Sequence, residues 1–283
     1  MSEPVPEPRV FAPGVISTAQ REYGLTFRPD GREVYFTRRP RRGPALIFHS
    51  RFSDGSWSEP QPAPFSREGD EAPFILPDGS ALLFSSRRPA RGRWDRSENI
   101  WLVERDGTGW SEPRPLPGTV NRPGREIDDF DVGMELGPFL LADGVLLYWT
   151  RVSPDWGSDI YVAEGNELGE FVDPRPLRLN SAGDESNPVL SPDGRHLIFQ
   201  GYRGSDGYGD DDLYVSERTD YGWSTPRLLP EPINSPAFEG HPRFSPDGRH
   251  FFFASDRNRR YEDIYVVSTA ALGLDDTGQA GDG

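Results

Sequence analysis

Lysine is absent from this chain, so all 31 of its strong positive charges belong to arginine. Cysteine is absent as well, which excludes disulfides and thiol catalysis but leaves the redox compartment open. No stretch approaches the roughly 20 apolar residues that a membrane helix needs, and no long segment carries a 3.6-residue period. The opening MSEPVPEPRV has neither a basic cluster nor an apolar run, so no secretion signal is expected and a cytoplasmic location is. The standard catalytic signatures are missing too: no G-x-S-x-G elbow, no H-E-x-x-H, no P-loop and no dinucleotide fingerprint. Basic charge is in deficit, 31 residues against 46 acidic ones, for a net charge of −15. That balance argues against nucleic acid or an anionic membrane as a partner.

What the chain has instead is Gly (31), Pro (29) and 12% aromatics, the mixture of many short strands and tight turns. The stretch DESNPVLSPDGRHLIFQGYRGSDGYGDDDLYV, from Asp184 to Val215, holds two β-runs around Pro192-Asp193-Gly194, then a loop and a third run. Pro presets φ at the second turn position and Gly relieves the steric cost where φ turns positive. The hairpin recurs as Pro29-Asp30-Gly31, Pro77-Asp78-Gly79, Ala142-Asp143-Gly144 and Pro246-Asp247-Gly248. The third run recurs as Asn99-Ile100-Trp101, Asp159-Ile160-Tyr161 and Asp263-Ile264-Tyr265, more weakly as Ala45-Leu46-Ile47. A fourth run follows, headed DGSW, DGTGW or DYGW, with Phe171 replacing the indole in the third unit.

Five such units imply an all-β fold, a five-bladed β-propeller of four-stranded antiparallel blades in a single domain. The blades fall at about 22–64, 71–116, 135–177, 185–229 and 239–268, with an insertion around 117–134. The N-terminal PGVISTAQREYGLTFRPDG aligns without a gap to PEPINSPAFEGHPRFSPDG, which ends blade four and opens blade five. Residues 8–16 therefore read as the outer strand of the last blade, closing the ring from both termini. Residues 270–283 read as a disordered tail.

SPDGRHLIF with DDLYV, and SPDGRHFFFASDR with DIYV, resemble the WD-like propeller repeats of the periplasmic TolB protein and its relatives. The resemblance spans nearly the whole chain in five copies. It implies the propeller fold; it does not imply one function, because such propellers serve as binding platforms, accessory domains and enzymes.

The hairpins share one face of the disc, and the loops between the second and third runs of each unit share the other with the blade connections, where loop-borne function is expected. On that second face a glutamate stands before each innermost strand: Glu22, Glu71, Glu135, Glu185 and Glu239. An arginine follows each second strand: Arg38, Arg87, Arg151, Arg203 and Arg257. One reading is a structural network repeated with the blade, tying strand ends by charge-assisted hydrogen bonds. The other is a ring around the channel mouth that binds a polar ligand. His241, two residues after Glu239 and without counterpart in other blades, reads either as a site residue, being a group that titrates near neutrality, or as a satisfied structural histidine. Tyr23, Trp94, Trp149, Trp156, Tyr202 and Tyr208 lie near the same face. His49 has no obvious partner, and His196 and His250 read as surface or packing residues. No cofactor is required. Calcium is the ion such an acidic face would suit, with Asp210, Asp211 and Asp212, or Asp128, Asp129 and Asp131, as weak candidates.

The expected function is a non-catalytic platform for a polar small molecule, glycan or peptide at this face. The alternative is a carbohydrate-active hydrolase or lyase drawing an acid/base pair from Glu22, Glu71, Glu135 and Glu239, with His241 beside them. A second alternative is a scaffold for a protein partner.

Overall fold

The computed structural model describes residues 6–89, 97–107, 109–122, 125–127, 130–151, 157–204, 207–258 and 261–274. Blade one comprises β2 (Arg21–Phe27), β3 (Glu33–Arg39), β4 (Leu46–Ser53) and an outer strand split into β5 (Ser56–Trp57) and β6 (Gln61–Pro62); β1 (Arg9–Val10) precedes it. Blade two comprises β7 (Asp70–Ile75), β8 (Ala81–Ser86), β9 (Asn99–Asp106), β10 (Gly109–Trp110) and β11 (Arg114–Pro115). The insertion contributes a hairpin of β12 (Arg125–Ile127) and β13 (Phe130–Val132). Blade three is β14 (Met134–Leu140), β15 (Val145–Arg151), β16 (Asp159–Gly165) and β17 (Phe171–Pro176). Blade four is β18 (Asp184–Leu190), β19 (His196–Tyr202), β20 (Asp212–Thr219), β21 (Gly222–Trp223) and β22 (Arg227–Leu228). Blade five is β23 (Glu239–Phe244), β24 (His250–Ser255) and β25 (Asp263–Ser268), completed by β1 through Arg9↔Val266 and Val10↔Tyr265. The five-bladed propeller closed by its N-terminal strand is the observed fold.

Period-2 alternation explains how each blade serves two neighbours. In β24, Phe251 and Phe253 pack against blade four with Val189, Ile198 and Val215, while Phe252 packs against blade one with Leu25, Val34 and Phe36. Each of the five apolar clusters draws on two adjacent blades. The one that closes the ring also holds Ile16, fully buried, and Phe11. The expected loose tail does not begin at 270. Thr269–Leu272 form a 3-10 turn whose Leu272 is buried in the cluster between blades four and five; the rest of that tail, 275–283, lies outside the described residues.

All five hairpins use the turn chemistry read from the sequence. The aspartate carboxylate accepts the N–H two residues on (Arg32, Ser80, Val145, Arg195, Arg249). A second device was not legible beforehand: each innermost strand carries a bulge, between Tyr23/Thr26, Glu71/Phe74, Leu136/Phe139, Ser186/Val189 and Gly240/Arg243. The bulged residue has positive φ in every blade, and in three of them it is not glycine: Ala72 (51°), Asn187 (48°) and His241 (52°). Such backbone costs about 1–3 kcal/mol per residue and tends to mark functional sites.

Candidate functional site

The linkers between blades set the site's boundary. Asn121, Asn180 and Asn234 each clamp the N–H and C=O of one residue near the start of a blade's third strand, namely Ile100 in β9, Ile160 in β16 and Leu213 in β20. Ser17 does the same to Ile264, and Ser66 accepts the N–H of Ile47. The next residue bonds the blade's glutamate: Thr18 to Glu22, Ser181 to Glu185 and Ser235 to Glu239, through both N–H and hydroxyl. Arg122 bonds Glu135 through its N–H and guanidinium.

Four of the five glutamates are therefore built into the walls. Glu22, Glu135, Glu185 and Glu239 are fully buried, and none lines the channel mouth. Arg38 pairs with Glu22 at 2.8 Å and donates to the carbonyls of Val15 and Ile16. Arg257 pairs with Glu239 at 3.0 Å and binds the carbonyls of Pro232 and Ile233; Arg203 pairs with Glu185 at 3.2 Å and binds that of Leu179. Each arginine thus fastens an incoming linker to the blade it enters. Of the two readings of the Glu/Arg pattern, these contacts match the structural network.

Blade two breaks the pattern. Its linker runs four residues from Ser66 to Asp70, against five from Ser17 to Glu22. Asp70 takes the structural place: it is fully buried, accepts the Arg67 N–H, and pairs at 2.5 Å with Arg88, which also binds the carbonyl of Phe65. Glu71 is thereby turned into the mouth. Asp70→Ala is expected to cost about 3 kcal/mol or more by stranding Arg88, whereas Glu71→Gln is expected to stay within about 1 kcal/mol. Urea unfolding of the two variants checks this; equal losses would assign Glu71 to the frame.

The mouth is a cavity of about 480 Å³. Tyr23 donates its hydroxyl to Glu71, and the His241 ring lies against Tyr23 with centroids 4.7 Å apart. Around the rim stand opposed pairs: Arg87 with Glu98 at 2.8 Å, Arg21 with Glu262, Arg151 with Asp184 at 3.9 Å, and Gln200 with Asp211 at 2.8 Å. Arg39 is 4.0 Å from Glu71. Trp149 Nε1, a donor, and Asn187 Oδ1, an acceptor, are buried in the cavity wall without a hydrogen-bond partner among the described residues. They meet beside Gly137, at φ +59°, where a Cβ would come within 2.8 Å of both.

Three pKa shifts shape the site. Burial, the charge of Glu71 and a hydrogen bond to it push the Glu98 carboxyl up to about 7, against the pull of Arg87. Burial, reinforced by Arg243 and Arg21, pushes His241 down to about 3, so it stays neutral and does not titrate near neutrality as its residue type had suggested. Burial also raises Asp211, helped by Asp184, Asp210 and Asp212. The folded state thus holds a proton on Glu98 that the unfolded chain releases above its ordinary value of 4.5. Stability is greatest below that value and falls as pH rises to about 7, by at most about 3 kcal/mol for this group. Melting temperatures measured from pH 4.5 to 8 are expected to decline, and Glu98→Gln to flatten the decline. An unchanged slope in that variant would show that Glu98 is not the group responsible.

Of the residues singled out from sequence, Glu71, His241, Arg87, Arg151, Trp149, Tyr23 and Asp211 line the mouth. Tyr202 is half exposed and stands outside it. Asp210, Asp211 and Asp212 do not converge: Asp211 accepts from Gln200, while Asp212 accepts the Tyr208 N–H. Among the described residues no three acidic or histidine side chains stand together as a metal would require. Trp94, Trp156 and the side chains of Asp128, Asp129 and Asp131 lie outside the described residues. His49 does have a partner, Glu33 at 3.4 Å, and His196 and His250 are buried packing residues.

Glu98, Ser158 and Glu262 were missed and Asp211 was read only as a metal candidate, although Glu98, Ser158, Asp211 and Glu262 each immediately precede a repeated Asn or Asp (Asn99, Asp159, Asp212, Asp263). Successive strand residues face opposite ways, so the earlier residue is the one that reaches the mouth. In each case its carbonyl also receives the N–H that opens the next blade's inner strand, at Glu135, Glu185, Glu239 and Glu22 respectively.

No family model matches this chain, and no curated protein sequence does. Solved structures do resemble it. A putative TolB from Agrobacterium tumefaciens is 20% identical, with 84% of this chain and 71% of that one covered at a TM-score of 0.52. TolB from Acinetobacter baumannii is 15% identical with a TM-score of 0.57; 89% of this chain is covered, but only 53% of that longer one. A thermostable family-43 glycoside hydrolase is 16% identical, with 90% of each chain covered and a TM-score of 0.58. At such identities the likeness is one of fold. No helix among the described residues is long and apolar enough to cross a membrane.

Proposed function

We propose that the channel mouth binds a neutral, hydroxyl- or amide-rich ligand, a short glycan above all, without chemical turnover. The observation that carries this reading is the unpartnered donor on Trp149 and acceptor on Asn187, both buried in the cavity wall. A buried polar atom left unpaired costs about 1–3 kcal/mol; both atoms lie just beneath the cavity surface, so a ligand that displaces the wall over them and supplies both partners recovers that cost. The rim favours an uncharged ligand because most of its charges already oppose one another in pairs, with Asp211 held by the neutral Gln200. Hydroxyls can join such pairs through charge-assisted hydrogen bonds without displacing them. Tyr23, His241 and Trp149 add apolar faces with polar tips, the surface that suits a sugar ring. Calorimetric titration with neutral oligosaccharides tests the reading. Trp149→Ala and His241→Ala are each expected to weaken binding at least tenfold; unchanged affinity in both would remove the mouth as the site.

A second reading, a hydrolase or lyase, rests on Glu98, whose carboxyl is poised to give or take a proton near neutrality. Its hydrogen bond to Glu71 holds the two closer than the roughly 5–5.5 Å or 6.5–9.5 Å that glycosidase pairs use, which places this reading behind the first. Turnover of any member of a glycoside panel, abolished by Glu98→Gln, would reverse that order.

A further inference from the structure

The opposite end of the channel presents a different chemistry. On the hairpin face a cavity of about 310 Å³ is lined by Phe27, Phe74, Phe139, Val189 and Phe244, with hairpin prolines at its edge. Among the described residues one charged side chain lines it, Arg243. Just beyond the bulge, the other inner strands place Thr26, Phe74, Phe139 and Val189 at the same register position. Arg243 is 5% exposed, and among the described residues its one hydrogen bond runs from Nη1 to the adjacent Pro242 carbonyl. Its Nε has no partner, and no carboxylate pairs with it among the described residues. Burial lowers its pKa only to about 10, so the guanidinium is charged at neutral pH.

Every other arginine at the inner end of a blade described above has a carboxylate. A buried cation without one is costly, and an apolar residue of similar volume there is often neutral or stabilising. We propose that this cavity is a second binding site, for a small monocarboxylate with an apolar body, its carboxylate on Arg243 and its hydrocarbon against the phenylalanines. Guanidinium and carboxylate match in a two-pronged geometry that an inorganic halide does not exploit, and the walls offer little else to a polar ligand.

Calorimetry with 4-phenylbutyrate, with the neutral 4-phenylbutan-1-ol and with sodium chloride tests this directly on the wild-type chain. Saturable binding of the carboxylate is expected, with the alcohol at least tenfold weaker and chloride a poor competitor. Arg243→Met is expected to melt no lower than wild type and to lose at least tenfold in carboxylate affinity, while Glu71→Gln leaves that affinity unchanged. The proposal is overturned if carboxylate and alcohol bind alike, if chloride competes as well as the carboxylate, or if no binding is seen at millimolar concentration. Undiminished binding by a folded Arg243→Met also overturns it.

Discussion

A chain that begins at Arg21 is expected to lose the closed ring. It lacks β1, so the main-chain bonds from Arg9, Val10 and Phe11 to β25 disappear. It also lacks Ile16, fully buried between blades five and one, and Phe11, which packs on Phe27, Trp57 and Phe252. Ser17, the clamp on Ile264, and Thr18, a partner of Glu22, go with them. Burying two such apolar side chains is worth roughly 3–6 kcal/mol, and the exposed edge of β25 invites pairing with other chains. The total approaches the 5–15 kcal/mol that typically separates folded from unfolded domains. Calorimetry of the truncated chain should show a melting temperature lower by 10 °C or more, on the order of 2–4 °C per kcal/mol at this size, or no cooperative transition. An unchanged melting temperature would mean that the ring does not depend on its N-terminal strand.

The second large effect is expected at Glu22. Replacing it with alanine leaves the Arg38 guanidinium, 6% exposed, with its carbonyl contacts but no counter-charge, and leaves the Thr18 N–H without its acceptor. Breaking a buried pair from one side costs about 3–5 kcal/mol, whereas removing both charges together is often far milder. Urea midpoints should therefore fall steeply for Glu22→Ala and recover in part for Glu22→Ala combined with Arg38→Met. If the single variant unfolds at the wild-type midpoint, Glu22 is not part of the frame. The outcome bears on function as well, because a glutamate committed to the frame is withdrawn from the list of acid/base candidates.

The hairpins, the blade count and the closing strand were legible because each depends on local chemistry repeated five times. Pro-Asp-Gly and its variants set a turn wherever they occur, and Ser17 with Thr18 could be matched to Asn234 with Ser235 from the alignment of linkers. Glu71 shows where such matching fails. It stands five residues after Ser66, as Glu22 stands after Ser17, yet it is Asp70 that stands two residues before the bulged residue, as Glu22 does, and so takes the inward place. Nothing local to Arg-Glu-Gly-Asp-Glu distinguishes the two carboxylates; the difference lies in which one meets Arg88 across the blade. Arg243 was passed over for a similar reason, since an arginine in a strand reads as surface until the neighbouring blades are seen to enclose it.

Composition and repetition were enough to specify a closed five-bladed disc without lysine, cysteine or any long apolar run, because turn propensity and period-2 burial are properties of short segments. Which acidic groups hold the blades together and which face the channel mouth was settled across the ring. Burial, pairing and proton affinity at Glu71, Glu98, His241 and Arg243 arise from groups brought together from distant blades, and no single stretch of chain contains the neighbours that set them.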